Sequence, residues 1–243
     1  MAACVGNSCI PGETLQEERQ ESSDIRKVVL GDGLRCNIVA SSEEHSLPVI
    51  TKNGILRRRK PNIYYVDSYQ KRYIPSKNDS VIGIVTTKTL DFFWVDINAS
   101  EPAALSYLAF EGATKKNRPE INVGDLVFCK VVLAHPDLEP ELVCVDSTGK
   151  KGNLGQLNDG IMFSCSINLV RKVLNEKCRL LHLLSKETPF ELVAGINGRI
   201  WVNSNSLRKT ILLRDTILKA EHTPYEEMSN IVNDFATELT GIP

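Results

Sequence analysis

The sequence offers little to metal or redox chemistry. Its seven cysteines (Cys4, Cys9, Cys36, Cys129, Cys144, Cys165 and Cys178) are odd in number and form no C-x-x-C pair. Neither a disulfide framework nor a zinc knuckle is predicted. Most lie inside apolar runs, as buried free thiols do, and this usage points to a reducing compartment, cytosol or nucleus. There are only four histidines, His45, His135, His182 and His222, none at metal-ligand spacing. The acids are dispersed or fall on expected helix surfaces, so the clustered carboxylates of a two-metal nuclease are missing. Gly149-Lys150-Lys151-Gly152 lacks the spacing of a P-loop. These shortages exclude the common enzyme classes, and no catalytic residue, metal or cofactor is assigned. No run of about 18 apolar residues occurs, and a basic start followed by an apolar stretch is absent. Neither a membrane span nor a secretion leader is expected.

Net charge is also nearly absent, at −1 over 243 residues. The distribution is uneven. From Lys52 to Lys77, eight basic residues face one acid, a local balance of +7. Residues 1–24 hold five acids and one arginine, a balance of −4. A basic region behind an acidic tail is a pattern that nucleic-acid partners share. Apolar residues at 42% and charged residues at 24% exclude wholesale disorder. The length suits one large domain or two to three small ones.

Residues 1–24 are polar and aperiodic, and the composition predicts a disordered acidic tail. Residues 25–74 show no helical period and read as a small all-β module. Gly31-Asp32-Gly33 marks a turn. Asn53-Gly54 between Val49–Lys52 and Ile55–Arg57 predicts a hairpin, and Ser68–Lys71 a second one between Ile63–Asp67 and Arg72–Ile74. The run Arg57, Arg58, Arg59 and Lys60 ends a strand before Pro61. It suits a solvated loop, or contact with phosphate or an acidic protein surface.

Residues 75–148 carry five predicted strands: Val81–Val85, Phe92–Ile97, Leu105–Phe110, Leu126–Val132 and Glu141–Val145. A long connection separates the third from the fourth, which is the pattern of a five-stranded OB-type barrel. Gly83 suggests a bulge or bend. In the second strand Phe93, Val95 and Ile97 share the apolar face. Trp94 lies beside Asp96 on the wetter one, either to stack a base or to pack against a neighbour. The long connection holds Thr114-Lys115-Lys116-Asn117-Arg118-Pro119, three cations in four residues on a loop of a rigid barrel. Such a loop suits phosphate neutralisation without sequence preference, or simple solvation.

Residues 149–243 read β-α-α-β-β-α-α. Predicted elements are a strand over Ile161–Ile167, a helix over Leu169–Leu174 capped by Asn168, and a second helix over Leu180–Ser185. A hairpin over 190–203 follows, then a helix from Ser204 or Asn205 to Ala220, with Leu207, Ile211, Ile217 and Leu218 on its apolar face. A last helix starts at Thr223-Pro224. The first six elements are those of a type I-like KH domain, whose G-x-x-G clamp lies between the first two helices. Here that joint is Asn175-Glu176-Lys177-Cys178, without glycine. Gly195-Ile196-Asn197-Gly198 comes one joint later, where Asn-Gly between apolar runs predicts a two-residue hairpin turn. The domain is therefore a degenerate KH, with the motif structural and Trp201 a packing residue.

This order, a β module, an S1-type barrel and a degenerate KH domain, resembles the cap subunits of the eukaryotic RNA exosome. Among those it is most similar to the cap protein marked by a G-x-N-G-x-x-W signature, present as Gly195, Asn197, Gly198 and Trp201. Further matching strings are Tyr65-Val66-Asp67, Lys71-Arg72-Tyr73, Val81-Ile82-Gly83, Leu105-Ser106-Tyr107-Leu108 and Ala113 through Pro119. The resemblance implies a non-catalytic subunit of a 3′-to-5′ exoribonuclease complex, at work in rRNA processing and mRNA turnover. It implies partners among RNase PH-like ring subunits, other cap subunits and associated exoribonucleases, with single-stranded RNA as ligand. The N-terminal module would anchor the chain to the ring. The signature would be structural, at the contact of the two following domains, and Lys115, Lys116, Asn117 and Arg118 would meet RNA. The implied locations are nucleus, nucleolus and cytoplasm. A stand-alone RNA-binding regulator of the same domains is the second reading. The domain order excludes the bacterial phosphorolytic nuclease tail, where KH precedes S1.

Overall fold

The computed structural model describes residues 2–15, 29–36, 48–60, 62–114, 116–135, 137–146, 148–176 and 178–240. The chain forms two compact units, Met1–Tyr69 and Gln70–Pro243.

Among the described residues, the first unit has eight short strands. They are β1 (Ala2–Ala3), β2 (Ser8–Cys9), β3 (Thr14–Leu15), β4 (Val29–Leu30), β5 (Leu34–Cys36), β6 (Pro48–Ile50), β7 (Gly54–Arg59) and β8 (Ile63–Asp67). One sheet runs β1-β3-β6-β5 and the other β2-β7-β8-β4. Cys9, Leu15, Ile50, Leu56, Tyr64 and Val66 make its core. The predicted disordered tail is corrected here for residues 2–15, which supply three strands and two core residues; residues 16–24 lie outside the described residues. Backbone pairing holds this segment: the Gly6 N–H donates to the Leu56 carbonyl at 2.7 Å, and the Gly12 N–H to that of Ile50 at 2.9 Å. Strands of two residues carry no readable period, so composition alone misjudged them.

Both predicted hairpins of this module are absent. β6 pairs with β3 and β5, whereas β7 pairs with β2 and β8. Neither Asn53 nor Gly54 takes the positive φ that a two-residue turn requires. Gly54 is needed for closeness instead, since a Cβ there would lie 2.5 Å from the Asp67 carbonyl oxygen. Residues 72–74 form no strand.

The second unit begins with the barrel. Its strands are β9 (Ser80–Lys88), β10 (Phe92–Asp96), β11 (Ala103–Ser106), β12 (Leu126–His135) and β13 (Leu138–Val143). They run β13-β11-β10-β9-β12, and β12 pairs with β13 to close the ring. A further strand, β14 (Gly155–Leu157), joins β12 at Leu126–Phe128. The predicted inward face of β10 is observed, with Phe93, Val95 and Ile97 buried. A bulge in β9 leaves Thr86 without a partner opposite the Trp94/Val95 step. Gly83 sits against Val95, where a side chain would collide with Cγ1. The third predicted strand ends early because the Ser106 side chain accepts the Leu108 N–H at 3.3 Å and opens a 3-10 turn, Tyr107–Ala109. Tyr73 and Leu154 both belong to the barrel core, so its packing reaches past 75–148 on each side.

The α+β domain follows the predicted order. It comprises β15 (Ile161–Ser164), α1 (Ile167–Leu174), α2 (Leu180–Glu187), β16 (Phe190–Gly195), β17 (Arg199–Ser204), α3 (Leu207–Lys219) and α4 (Met228–Thr240). The three strands run β15-β17-β16, all antiparallel. Ser166, not Asn168, caps α1, accepting the Leu169 N–H at 3.0 Å. In α3 the buried residues are Thr210, Leu213, Thr216 and Ile217, whereas Leu207 and Ile211 face solvent. The two threonines are tolerated inside because their hydroxyls donate back to the Ser206 and Leu212 carbonyls, at 3.1 and 2.7 Å.

Leu15 offers a test of the ordered N-terminal segment. Leu15→Ala is expected to destabilise the first unit by about 2–5 kcal/mol, whereas Ile10→Ala, at an exposed site, should change it by less than about 0.5 kcal/mol. Chemical denaturation of the two variants measures the difference; equal midpoints would return residues 2–15 to the tail.

Candidate functional site

The β16–β17 hairpin carries the most unusual chemistry of the chain. Gly195 pairs with Arg199, so the connection is the three-residue loop Ile196-Asn197-Gly198, not the predicted two-residue turn. Only Gly198 takes a positive φ, +79°. That geometry is a turn closed by a left-handed residue. A Cβ on Gly198 would lie 2.7 Å from the Cys165 carbonyl oxygen, and one on Gly195 would lie 2.7 Å from the Ile82 nitrogen. Both glycines are therefore fixed by close approach.

The loop tip is inserted into the barrel. Asn197 is wholly buried. Its Oδ1 accepts the Ile82 N–H at 3.3 Å, and its Nδ2 donates to the Ile82 and Ile97 carbonyls at 2.8 and 2.9 Å. β10 separates from β9 beyond Asp96, and this carboxamide fills the gap as a peptide group of a neighbouring strand would. The Ile196 N–H donates to the Ser80 carbonyl at 2.9 Å. Ile196 and Ile167 pack against the barrel core.

A charged clamp flanks the insertion. Arg199 Nη2 donates to Asp96 Oδ2 at 2.6 Å, and Nη1 donates to the Asp96 carbonyl at 2.5 Å. Burial alone would push the Asp96 carboxyl up. Hydrogen bonds from Arg199 and the Asn98 N–H, with the Arg199 charge, outweigh it and hold the group below its ordinary value of 3.8. Asn98, itself at φ +61°, donates from Nδ2 to the Asn197 carbonyl at 3.3 Å. Trp201 is buried, and its indole N–H donates to the Asp159 carbonyl at 2.9 Å. The signature residues thus act in packing and polar satisfaction. Ser80, Ile82, Asp96, Asn98 and Arg199 were missed in the sequence, because only Asp96 sits in a pattern that raised a question, and its partner lies 103 residues away.

The barrel loop is a separate site. Lys116, Asn117 and Arg118 are exposed, and Lys115 lies outside the described residues. The loop is shaped locally: the Asn117 N–H donates to Thr114 Oγ1 at 3.0 Å, and the Thr114 N–H to the Asn117 carbonyl at 3.0 Å. Arg118 is fastened across the barrel end. Its guanidinium lies 4.7 Å over the Tyr107 ring and donates to the Leu90 carbonyl at 3.1 Å. Lys88, on β9, reaches the same region, its ammonium donating to the Ile121 carbonyl at 3.2 Å. A shallow, open depression lies here, with Lys88, Leu90, Phe92, Tyr107 and Arg118 among its walls. Trp94 is half-buried on the outer face and does not line it.

In the basic run of the first unit, Arg57, Arg58 and Arg59 end β7 as expected, and Lys60 follows the strand. Arg57 pairs with Asp67 at 2.9 Å. Arg58 donates to Asn62 Oδ1 at 3.0 Å and lies 5.5 Å over the Tyr64 ring. Arg59 and Lys60 are exposed. The joint between α1 and α2 holds Asn175, Glu176 and Cys178 among its described residues, and no glycine.

Two outcomes test the inserted hairpin. Asn197→Ala leaves the Ile82 N–H and the Ile97 carbonyl buried without these partners, and the Ile82 carbonyl with only a 3.4 Å bond from Arg199 Nη1; it is expected to cost on the order of 3 kcal/mol, read by denaturant titration of the full chain. Asp96 gives a pH dependence. Its folded-state pKa is depressed, so its contribution is present above 3.8 and lost as pH falls through the folded value. The stability gap between wild type and Asp96→Asn should therefore be full at neutral pH and close in acid; a gap independent of pH would remove the ion pair from the account.

Comparison with known proteins covers both halves of this arrangement. Residues 73–155 match the family described as Exosome complex component RRP40, S1 domain, and residues 160–208 match a KH domain family. The Drosophila melanogaster exosome complex component RRP40 is 44% identical, over 95% of this chain and 96% of its own length. The Homo sapiens protein of the same name is 43% identical, over 86% and 76%. A crystal structure of a protein described as an exosome complex RNA-binding protein superposes with a TM-score of 0.61 at 23% identity, over 71% of this chain and 99% of that one. At that identity the likeness speaks for the fold. With a hairpin-joined barrel and KH domain matched from end to end by such relatives, the chain belongs to the exosome complex component RRP40 family.

Proposed function

We propose that the chain is a non-catalytic, RNA-binding cap subunit of the exosome, which stabilises the ring of RNase PH-like subunits and guides single-stranded RNA into its channel. Relatives named as exosome components support the assembly. The observation that carries the RNA role is the exposed cation loop on a closed barrel. Lys116 and Arg118 are exposed on that loop, and Arg118 lines a depression at one barrel end together with Lys88. The glycine-free joint of the KH-like domain leaves its usual backbone grip without a loop to make it.

In this reading Lys115, Lys116, Asn117 and Arg118 receive phosphates, and Trp94 is a second candidate contact on the outer face. The first unit faces the ring, with Arg59 and Lys60 available to an anionic partner, RNA or protein. Other cap subunits and 3′-to-5′ exoribonucleases complete the partners. The complex acts in rRNA processing and RNA degradation, in nucleus, nucleolus and cytoplasm. A stand-alone regulator would elute near its own mass on size exclusion of the native protein, whereas a cap subunit co-elutes with a large assembly.

The phosphate role has a salt signature. Each contact on a single strand contributes about 0.7 to the log–log salt slope. Replacing Lys115, Lys116 and Arg118 together with alanine should weaken RNA binding and make the slope shallower by about 2. A slope unchanged by the triple substitution would remove this loop from the RNA path.

A further inference from the structure

Two thiols of the barrel core take no part in the interdomain joint or in the cation loop. Cys129 lies on β12, and Cys144 is the first residue after β13. The last paired residues of the two strands on this side are Lys130 and Val143, so one step further along each strand Cys129 and Cys144 face each other. Both are wholly buried in the barrel core, and their Sγ atoms are 3.2 Å apart. A disulfide bond is about 2.05 Å long, so a shift of roughly 1 Å separates this contact from a covalent bridge. Among the described residues, no other two cysteines are hydrogen-bonded to each other.

Their place in the barrel gives the pair a mechanical meaning. The β12–β13 pairing is the seam that closes the ring. A bridge between residues 129 and 144, which lie 15 apart, would tie the two sides of that seam. Past Cys144 the chain leaves the sheet. The Cys144 N–H donates to the Ala109 carbonyl at 2.9 Å, and the Asp146 N–H to the Lys150 carbonyl at 2.8 Å. Opening this short segment breaks far fewer contacts than unfolding the barrel. While it is closed the pair is inert. Burial, then the hydrogen bond and charge of Cys144, push the Cys129 thiol well above its ordinary 9.0, and the thiolate is the reacting form. Any exchange with solvent reagents therefore waits for local opening.

We propose that Cys129 and Cys144 are a redox-set staple on the barrel seam, a dithiol under reducing conditions and a disulfide when a low-molecular-weight disulfide accumulates. The chemistry is two thiol–disulfide exchanges. One cysteine, exposed by opening, loses its proton and attacks a sulfur of the small disulfide. A mixed disulfide forms as the small S–S bond breaks, and the departing thiolate takes up the proton. The second cysteine then loses its proton and attacks the protein sulfur of that mixed disulfide. The Sγ–Sγ bond forms, and the second small thiolate leaves and is protonated. Two protein thiols are oxidised and one small disulfide is reduced to two thiols. An excess of the small thiol reverses both steps, so the staple is set by the surrounding thiol–disulfide balance.

The test holds the full native chain in glutathione buffers from reduced to oxidised, traps remaining thiols by alkylation and maps the unreduced peptides. The expected result is a bridge between Cys129 and Cys144 in the oxidised buffers, formed without denaturant and removed by dithiothreitol. Denaturant titration of the bridged and reduced wild-type chain should show the unfolding equilibrium constant of the second unit lowered on the order of 100-fold, the constraint of a closed loop of about 15 residues. Cys144→Ala should abolish this redox dependence; the wild-type comparison decides the matter even where that variant does not fold. Free thiols at 129 and 144 in a buffer that has fully converted the exposed Cys4 and Cys36 to mixed disulfides overturn the proposal. A reaction that stops at a glutathione adduct on either buried cysteine overturns it too. So does a bridge that forms only in denaturant, or one that leaves the second unit no more stable than the dithiol.

Discussion

The second unit depends on one buried carboxamide. Asn197 reaches out of its own domain and satisfies the Ile82 N–H, the Ile82 carbonyl and the Ile97 carbonyl of the barrel. A primary amide can do this because it carries donor and acceptor on one planar group, as a peptide does. Buried backbone groups must be paired. Where β10 leaves β9, the barrel would otherwise present unpaired groups. The hairpin resolves the problem of the barrel edge, and the barrel resolves the problem of a buried asparagine. Neither domain's surface is complete alone.

Other features follow from that insertion. The tip can enter only if its backbone comes close, which requires glycine at 195 and 198. Arg199, next in the chain, is carried to Asp96, and that ion pair is mostly buried on the arginine side. A buried guanidinium is tolerated because its charge and several of its donors are matched. Trp201, two residues on, lies on the same face of β17 as Arg199 and packs against Gly160 and the Asp159 carbonyl. A motif that spells a nucleic-acid clamp therefore works as an interdomain joint. Polar chemistry directed at solvent gathers instead at the barrel end that holds Lys88, Phe92 and Arg118.

Legibility followed the reach of each interaction along the chain. The element order of the α+β domain and the inward face of β10 could be read, because both express themselves in local periodicity. The hairpin over Phe190–Ser204 could be read for the same reason, but its turn was misjudged by one residue: positive φ is needed at Gly198 alone. The N-terminal strands were invisible because two-residue segments have no period. Asn53-Gly54 was a false hairpin signal, since both flanking strands find partners elsewhere. In α3, Leu207 and Ile211 looked like core, yet the buried face runs through threonines that bond their own helix. Nothing in the sequence marked Lys172, whose ammonium donates to the Ala220, Glu221 and Thr223 carbonyls just past α3. Contacts that span some 50 to 117 residues leave no local trace.

The central claim is that barrel and KH-like domain open together, because the groups between them have no other partners. Native-state hydrogen exchange of the full chain addresses this at single amides. The Ile82 N–H bonds to Asn197, and the Ile196 N–H to Ser80. If the account is right, both exchange only through the global unfolding of the second unit, with the same free energy as core amides of β12. Exchange of Ile82 and Ile196 at much lower free energy, while amides inside each domain stay protected, would contradict it.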